Sequence, residues 1–344
     1  MTAISVLDLV PVRSDQTTAD ALAATLALAR VADEVGARRY WLAEHHNMPA
    51  VAATNAPLLM ALVAAATSRV RVGSGGVMLP NHSPLVVAEQ VALLEAAYPG
   101  RVDVGIGRAP GADPVTGHLL RRGATGDGVD TFDSDVAALA GLVRPDGVDV
   151  RVGSSTYALR ATPRAVSTPQ LWLLGSSTYS AQLAARLGLP YVFAHHFAGR
   201  GTAEAVGLYR RSFVPSPELA EPRTIAVANV AVAPTADEAR RLALPQVRSM
   251  WRLRAGLTLE PQELVEDAEA SPLPATADEG VAAMTSSWIV GDPDQAATQL
   301  RELADVVGTD EIMLQPIAGA TRGTPADRSP AREQTLRLVA DALA

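Results

Sequence analysis

The stretch Val70–Gly107, "VRVGSGGVMLPNHSPLVVAEQVALLEAAYPGRVDVGIG", places two short apolar runs on either side of a longer segment. Val70–Met78 and Val102–Gly107 have the length and the Val-rich composition of β-strands. Pro84–Tyr98, between them, has the length and composition of an α-helix. Continuous apolar strands that alternate with helices are typical of a parallel sheet covered by helices on its outer face.

The same alternation continues along the rest of the chain. The predicted strands are Ile4–Leu9, Tyr40–Ala43, Val70–Met78, Val102–Gly107, Leu171–Gly175, Tyr191–Ala194, Thr224–Val232 and Glu311–Leu314. The predicted helices are Thr17–Val35, Ala56–Thr67, Pro84–Tyr98, Thr131–Leu142, Ser180–Leu187, Ala203–Arg211, Ala236–Arg254, Asp294–Val306 and Ala331–Leu343. Eight such strands favour a (β/α)8 TIM barrel in the α/β class, formed by one domain over residues 1–344. An open, doubly wound sheet is the alternative.

Two spans interrupt this alternation. Arg144–Pro169, rich in Gly, Pro and polar residues, is predicted as an excursion after the fourth helix. Leu257–Ser286, which is acidic and rich in Ala, lies between strands seven and eight. Long connections within a compact domain are often functional. In a barrel this second span would lie over the C-terminal rim, where active sites occur, so we predict a lid-like insertion there.

The composition excludes several kinds of chemistry. The chain has no Cys and no Lys, so all 29 basic residues are Arg. A thiol nucleophile, a Schiff base and the phosphate-binding lysine of a P-loop are therefore excluded. The net charge is −8, and no basic block or long apolar run is present. We expect a cytoplasmic protein that binds neither nucleic acid nor membrane.

Glycines are concentrated at the ends of two predicted strands. "GSGGVM" and "GIGRAP" each begin a dinucleotide-binding pattern, but Met78 and Pro110 occupy the third glycine position. A dinucleotide fingerprint is therefore disfavoured. Gly75 and Gly76 leave a strand end without Cβ atoms, so they either let the strand bend or let a flat ring approach the backbone.

Arg108 and a cluster of hydroxyl groups follow the fourth and fifth predicted strands. Arg108 is interpreted either as a rim ion pair or as a phosphate-binding group. Ser176, Ser177 and Ser180 lie where a helix begins. One of these hydroxyls would cap the helix, and together with the free N–H groups of the first turn they could bind an anion.

Two histidine pairs, His45–His46 and His195–His196, each follow a predicted strand. Adjacent side chains on an extended strand point to opposite faces, so one pair does not readily bind one metal ion. We predict no metal site. The pairs are either structural or contribute an acid/base, and no GxSxG motif is present to supply a serine nucleophile.

Four stretches together resemble the bacterial-luciferase-like flavin monooxygenases, over nearly the whole chain. They are "WLAEHHNMP" (41–49), "GGVMLPNHSPLVVAEQVALLEAAYPGRVDVGIGRAPG" (75–111), "LLGSSTYSAQLAARLGLPYVFAHHF" (173–197) and "VGDPDQAATQLREL" (290–303). The resemblance implies a TIM barrel. It also implies that His45 is the catalytic histidine and that Gly75–Gly76 is a cis non-proline peptide under the flavin ring.

The same resemblance implies a phosphate site made by Arg108, Ser176, Ser177 and Ser180. Gly107 departs from the pattern, because luciferase has a reactive Cys beside the flavin at this position. Loss of that side chain is expected to widen the pocket without removing the chemistry.

The activity implied by the resemblance is oxygenation of a small organic substrate by reduced FMN and O2 through a flavin C4a-hydroperoxide, in a single-component enzyme of the antibiotic-pathway type. A separate flavin reductase and a homodimer that pairs through Leu85–Tyr98 are also implied. Two alternatives stay open: an F420-dependent oxidoreductase on the same barrel, and a non-catalytic flavin-binding subunit. The substrate itself does not follow from the sequence.

Overall fold

A computed structural model describes residues 2–121 and 130–344. Within these residues, eight parallel strands close into a barrel. In chain order the barrel strands are β1 (Ala3–Asp8), β2 (Arg39–Leu42), β3 (Arg71–Met78), β4 (Val102–Gly107), β7 (Gln170–Gly175), β8 (Tyr191–Phe193), β9 (Thr224–Val232) and β11 (Glu311–Pro316). Each strand pairs with the next, β8 pairs with β9, and β11 pairs with β1. The TIM-barrel prediction is confirmed, and the open sheet is excluded by this closure.

Helices surround the barrel. They are α1 (Thr18–Glu34), α2 (Ala56–Ala66), α3 (Pro84–Ala97), α4 (Pro114–Leu120), α5 (Phe132–Leu142), α6 (Thr178–Leu187), α7 (His195–Ala198), α8 (Thr202–Ser212), α9 (Ala236–Arg254), α10 (Val265–Ala270), α11 (Asp278–Thr285), α12 (Pro293–Val307) and α13 (Pro330–Leu343). Several begin at capping side chains; Thr17 and Asp20, for example, form a reciprocal capping box at the start of α1. None of the described helices is both long and apolar enough to cross a membrane.

The barrel interior is a packed core. Trp41 of β2 and Trp172 of β7 meet edge to face with their ring centroids 5.7 Å apart. Glycine in β3 makes this possible, because a Cβ on Gly73 would lie 2.4 Å from the Trp41 indole nitrogen. Arg39, at the N-terminal end of β2, bonds the buried carboxylates of Asp103 and Glu311 at 2.6 and 2.7 Å. This packing and these ion pairs occupy the barrel interior toward its N-terminal end, and outside them lies an open depression lined by Arg38, Arg39, Arg71, Gln170 and Arg223.

The two interrupting spans contain secondary structure of their own. Arg144–Pro169 holds an antiparallel hairpin of β5 (Val148–Val152) and β6 (Ser155–Leu159). Leu257–Ser286 holds α10 and α11 and is followed by β10 (Ile289–Gly291), which extends the sheet beside β9. Within this span, Gln262 hydrogen-bonds through its backbone to Val12 and Ser14, in the loop after β1. The predicted excursion and lid-like insertion therefore lie where the sequence placed them, between the same barrel strands.

Candidate active site

A cavity of about 800 Å³ lies at the C-terminal mouth of the barrel. The ends of β1, β2, β3, β9 and β11 form its inner wall. The C-terminal half of α9 covers one side, where Gln246, Met250 and Leu253 share one face of the helix. Leu259 and Gln262 of the lid-like insertion complete this side. The volume is in the range of pockets that enclose an organic ligand.

His45 lies directly after β2 and lines this cavity together with Ala43. Its backbone N–H donates to the Ala53 carbonyl at 2.7 Å, which fixes the chain beyond the end of the strand. Its Nδ1 is buried and has no hydrogen-bond partner among the described residues. Burial lowers the pKa of the ring, and the nearby Glu44 charge opposes this only in part. The imidazole is therefore neutral near pH 7, with one nitrogen free to bond a ligand.

His46 faces away from the cavity and bonds to Glu44. The Glu44 carboxylate, 1% exposed, accepts hydrogen bonds from His46 Nε2 at 3.0 Å and from His82 Nε2 at 2.7 Å. Burial alone would raise the pKa of Glu44, but the bonds from His82, His46 and the Met78 backbone outweigh it and hold the pKa below its ordinary value. Glu44 is thus an ionised carboxylate that orients two histidines behind His45.

Gly75 and Gly76 have different neighbours. The peptide bond between them is cis, as the resemblance implied. Gly75 lines the cavity. A Cβ on Gly76 would instead lie 2.8 Å from the Gly105 carbonyl of β4, so close strand packing alone requires glycine there.

Arg108 follows β4 and stacks on Tyr179, with its guanidinium carbon 4.0 Å from the ring centroid. It forms no ion pair within the described part of the chain, so the rim ion-pair interpretation is not supported among these residues. Tyr179 lies in the first turn of α6 and donates to Asp133 at 2.5 Å. Because β4 and β7 are paired neighbours, Arg108 and the start of α6 meet at one corner of the rim.

The three serines of this corner have unequal positions. Ser176 and Ser177 are exposed, and Ser177 occupies the cap position of α6 without a side-chain capping bond. Ser180, by contrast, is 5% exposed, and its hydroxyl lies 2.8 Å from the Ser177 carbonyl, to which it donates, and 3.2 Å from the Tyr191 hydroxyl. In this structure Ser180 supports the turn from the inside and does not present its hydroxyl at the surface. The groups of the corner that are positioned to donate to an anion are therefore Arg108, Ser176, Ser177 and the first-turn N–H groups.

The second histidine pair is also divided between two environments. His195 bonds the Thr202 hydroxyl at 2.7 Å through Nδ1 and does not line the cavity. His196 does line it. Burial lowers the pKa of His196 to about 3, with smaller contributions from His195 and His45. Of this pair, His196 and not His195 therefore holds the cavity position.

Three further polar residues of the site were not predicted from the sequence. Asn229 of β9 and Gln315 of β11 line the cavity, and His82 holds Glu44 from the turn after β3. A single Asn in "VANVAV" and a Gln before a Pro in "MLQPI" were the available signals, because a polar side chain inside a fully apolar strand needs a partner.

Comparison with known proteins places this site in a family. Residues 2–310 match the family model of luciferase-like monooxygenases, and the chain therefore belongs to that family. A luciferase-like monooxygenase of Escherichia coli K12 is 40% identical over 312 residues, covering 91% of this chain and 90% of that protein. The N-acetyl-S-alkylcysteine monooxygenase of Bacillus subtilis is 33% identical over 322 residues, covering 93% and 94%. The crystal structure of apo-MsnO8 is similar with a TM-score of 0.87 and 34% identity, over 99% of this chain and 98% of that one.

More distant structures share the fold and hold two different cofactors. The oxygenating constituent of 3,6-diketocamphane monooxygenase from Pseudomonas putida, in complex with FMN, has a TM-score of 0.72 at 18% identity and covers 100% of this chain and 98% of that one. An F420-dependent secondary alcohol dehydrogenase has a TM-score of 0.66 at 18% identity, over 98% and 99%. At this identity the likeness concerns the fold alone.

Proposed function

We propose that this chain is a monooxygenase that takes reduced FMN and O2 and transfers one oxygen atom to a small organic substrate. One arrangement carries the proposal. His45 and Gly75 face a common cavity, and Arg108 with the uncapped start of α6 lies on the strands that continue the same rim. Membership in the luciferase-like monooxygenase family supports it.

The residues present fit FMN. Arg108 offers a guanidinium that has no ion-pair partner in the described chain, and Ser176, Ser177 and the first-turn N–H groups of α6 offer further donors to a phosphate. Gly75 presents its backbone to the cavity, although a Cβ there would lie 2.5 Å from Leu7 Cδ1, so core packing also requires glycine at this position. Residues 109–112, which follow Arg108 directly, line the cavity and so connect the phosphate corner to it.

When bound, reduced FMN supplies the two electrons that activate O2. The chain's own residues supply the rest. His45 holds or moves a proton at its free Nδ1, and its lowered pKa keeps it neutral at working pH. Glu44 fixes the backbone around His45 through His46, His82 and the Met78 N–H. The apolar side of α9 and the lid-like insertion keep water from the reacting groups.

We further propose that a separate reductase delivers the reduced flavin, because the phosphate corner is open at the rim. A role in a secondary-metabolite pathway stays a prediction. An F420-dependent oxidoreductase would use the same phosphate corner, so the two cofactors must be separated by experiment. A non-catalytic subunit is disfavoured, since both His45 and Arg108 are in position.

Turnover with isotopically labelled O2 tests the proposal. The protein is supplied with FMN, a flavin reductase and a panel of substrates that starts with S-alkyl thioethers, because the Bacillus subtilis relative is named for one. We expect one labelled oxygen atom in the product. Product formation with reduced F420 and without O2 would contradict the proposal and establish the alternative.

A further inference from the structure

Four buried polar atoms without a hydrogen-bond partner in the described chain lie on side chains of this one cavity. They are His45 Nδ1, His196 Nδ1, Asn229 Oδ1 and Gln315 Oε1. Asn229 is 2% exposed and Gln315 is 7% exposed. A buried polar atom left unpaired is costly, so a cluster of them in a cavity indicates a ligand that completes their bonding.

Three of the four belong to one wall. His196 follows β8, Asn229 lies in β9 and Gln315 lies in β11, which are three consecutive strands of the barrel. Asn229 and Gln315 are also register partners on their paired parallel strands, so their side chains point to the same face. We call His196, Asn229 and Gln315 the acceptor wall.

The acceptor character of Asn229 and His196 follows from their other bonds. Asn229 Nδ2 donates to the His196 carbonyl at 2.9 Å, so the amide orientation is fixed and Oδ1 faces the opposite way. His196 Nδ1 is buried and has no partner in the described chain. Burial favours the neutral imidazole, in which one ring nitrogen accepts, and the Val227 backbone interaction raises the pKa slightly, as donation from the ring to a carbonyl does, which leaves Nδ1 as the accepting nitrogen.

The charge of the cavity limits which donor fits. No Asp or Glu of the described chain lines it, whereas Arg254 and Arg332 do. A buried ammonium group would lack a counter-charge, because Arg332 already neutralises the nearest buried carboxylate, Asp8, at 2.7 Å. The complementary group is therefore a neutral hydroxyl or amide N–H.

Barrel topology places this wall away from the proposed flavin groups. β9 lies four strands from β3, and β8 lies four strands from β2, in the closed ring of eight. Asn229 is therefore across the barrel from Gly75, and His196 is across from His45.

From these observations, and resting on the monooxygenase function proposed above, we propose that the acceptor wall selects substrates that are mainly apolar and carry a neutral hydroxyl or amide N–H. The donor group bonds Asn229 Oδ1 and His196 Nδ1, and this holds the rest of the molecule between the wall and His45. Met250, Leu253, Leu259 and Ile317 supply the apolar contacts.

Ligand binding to the flavin-free protein tests this proposal. Three probes are compared by calorimetry: thymol, para-cymene, which lacks the hydroxyl, and thymol methyl ether, which lacks the donor but is larger. We expect thymol to bind the wild-type protein about tenfold or more tightly than either analogue. Discrimination against both a smaller and a larger analogue excludes a size effect.

Asn229→Leu should reduce this preference to within about twofold. His196→Phe, which preserves a ring at the other end of the wall, is the second variant and should do the same. Ser249→Ala is the matched control, because Ser249 lines the cavity but donates to its own helix at Pro245, and it should keep the full preference.

Two results would overturn the proposal: wild-type protein that binds thymol no more tightly than its analogues, or variants that keep the preference. If Asn229→Leu instead weakens FMN binding and leaves the thymol preference unchanged, the wall serves the cofactor. Because no flavin or turnover enters the first measurement, a failure of the monooxygenase assignment would be seen separately.

Discussion

At the scale of single residues, the site depends on how the backbone alternates beyond the end of β2. Trp41 faces the barrel core, Ala43 and His45 face the cavity above it, and Glu44 and His46 face the other way. This alternation is the one expected of an extended strand. It places His45, the proposed acid/base, in the cavity and His46 beside Glu44.

His45→Ala should lower product formation about 10²–10⁴-fold, which is the usual effect of a lost general acid/base. Flavin binding should be almost unchanged, and more of the consumed O2 should appear as hydrogen peroxide. Product and peroxide are measured in the same reaction. His195→Ala is the matched control, since His195 bonds Thr202 outside the cavity. If His45→Ala kept full turnover and His46→Ala abolished it, the roles of the two residues would be reversed.

Glu44→Gln should destabilise the protein by about 1–3 kcal/mol at neutral pH, because two half-buried histidines and a backbone N–H lose their shared carboxylate. The pKa of Glu44 lies below its ordinary value of 4.5. Its contribution to stability is therefore fully present above that value and is lost as the pH falls through the lower folded-state pKa. Urea unfolding between pH 3 and pH 8 should show the two proteins converging only at the acid end. A constant difference at every pH would contradict this account.

At the scale of elements, the eight barrel strands were predictable because both of their faces are buried, which produces continuous apolar runs. The hairpin β5–β6 was missed because its residues are mostly exposed and give no such run. The short helices α4, α7, α10 and α11 were missed because one or two turns carry too little periodicity. Helix ends were close to the prediction wherever a capping side chain was present, as at Thr17.

The candidate functional residues also divide into those that could be predicted from the sequence and those that could not. The positions of His45 and Arg108 at the C-terminal rim were predictable because both come within two residues of the end of a predicted strand, whereas their roles rest on the resemblance and stay predictions. Asn229 and Gln315 lie inside strands, where only the tertiary arrangement shows that both face a cavity. For Ser180, the spacing of hydroxyl groups did not reveal which one turns inward.

We predict that Arg108, in the corner formed by the ends of β4 and β7, contributes to flavin binding. Arg108→Ala should weaken flavin binding by about 1.5–3 kcal/mol, or roughly 10- to 150-fold, because a charged donor to phosphate is lost. Circular dichroism should show an unchanged fold. Arg337→Ala, on the outer helix α13, is the control and should leave the affinity unaffected, since that side chain pairs with Glu34 of α1 and contacts no described residue of the corner. Equal affinity of wild type and Arg108→Ala would place the phosphate elsewhere.

At the scale of the whole molecule, α2 and α3 pack side by side and present apolar side chains to solvent. Leu58 and Leu62 of α2 are 66% and 46% exposed, and Val86 and Leu93 of α3 are 49% and 59% exposed. A surface of this kind is typical of an association site. It includes the segment Leu85–Tyr98, which the sequence already indicated.

We predict a homodimer that buries this surface around a two-fold axis. Light scattering at micromolar concentration should give twice the chain mass of 35.9 kDa. Leu93→Arg should produce monomers, whereas Val306→Arg, at an exposed apolar position on α12, should not. A wild-type monomer would contradict the prediction.

The proposed function requires that the barrel mouth bind reduced FMN beside the acceptor wall. The most direct test of this requirement is an anaerobic titration of the purified protein, measured by calorimetry. Reduced FMN, oxidised FMN and F420 are titrated in parallel. The proposed function predicts saturable binding of one reduced FMN per chain, tighter than that of oxidised FMN or F420. Absence of reduced-FMN binding, or tighter binding of F420, would contradict it.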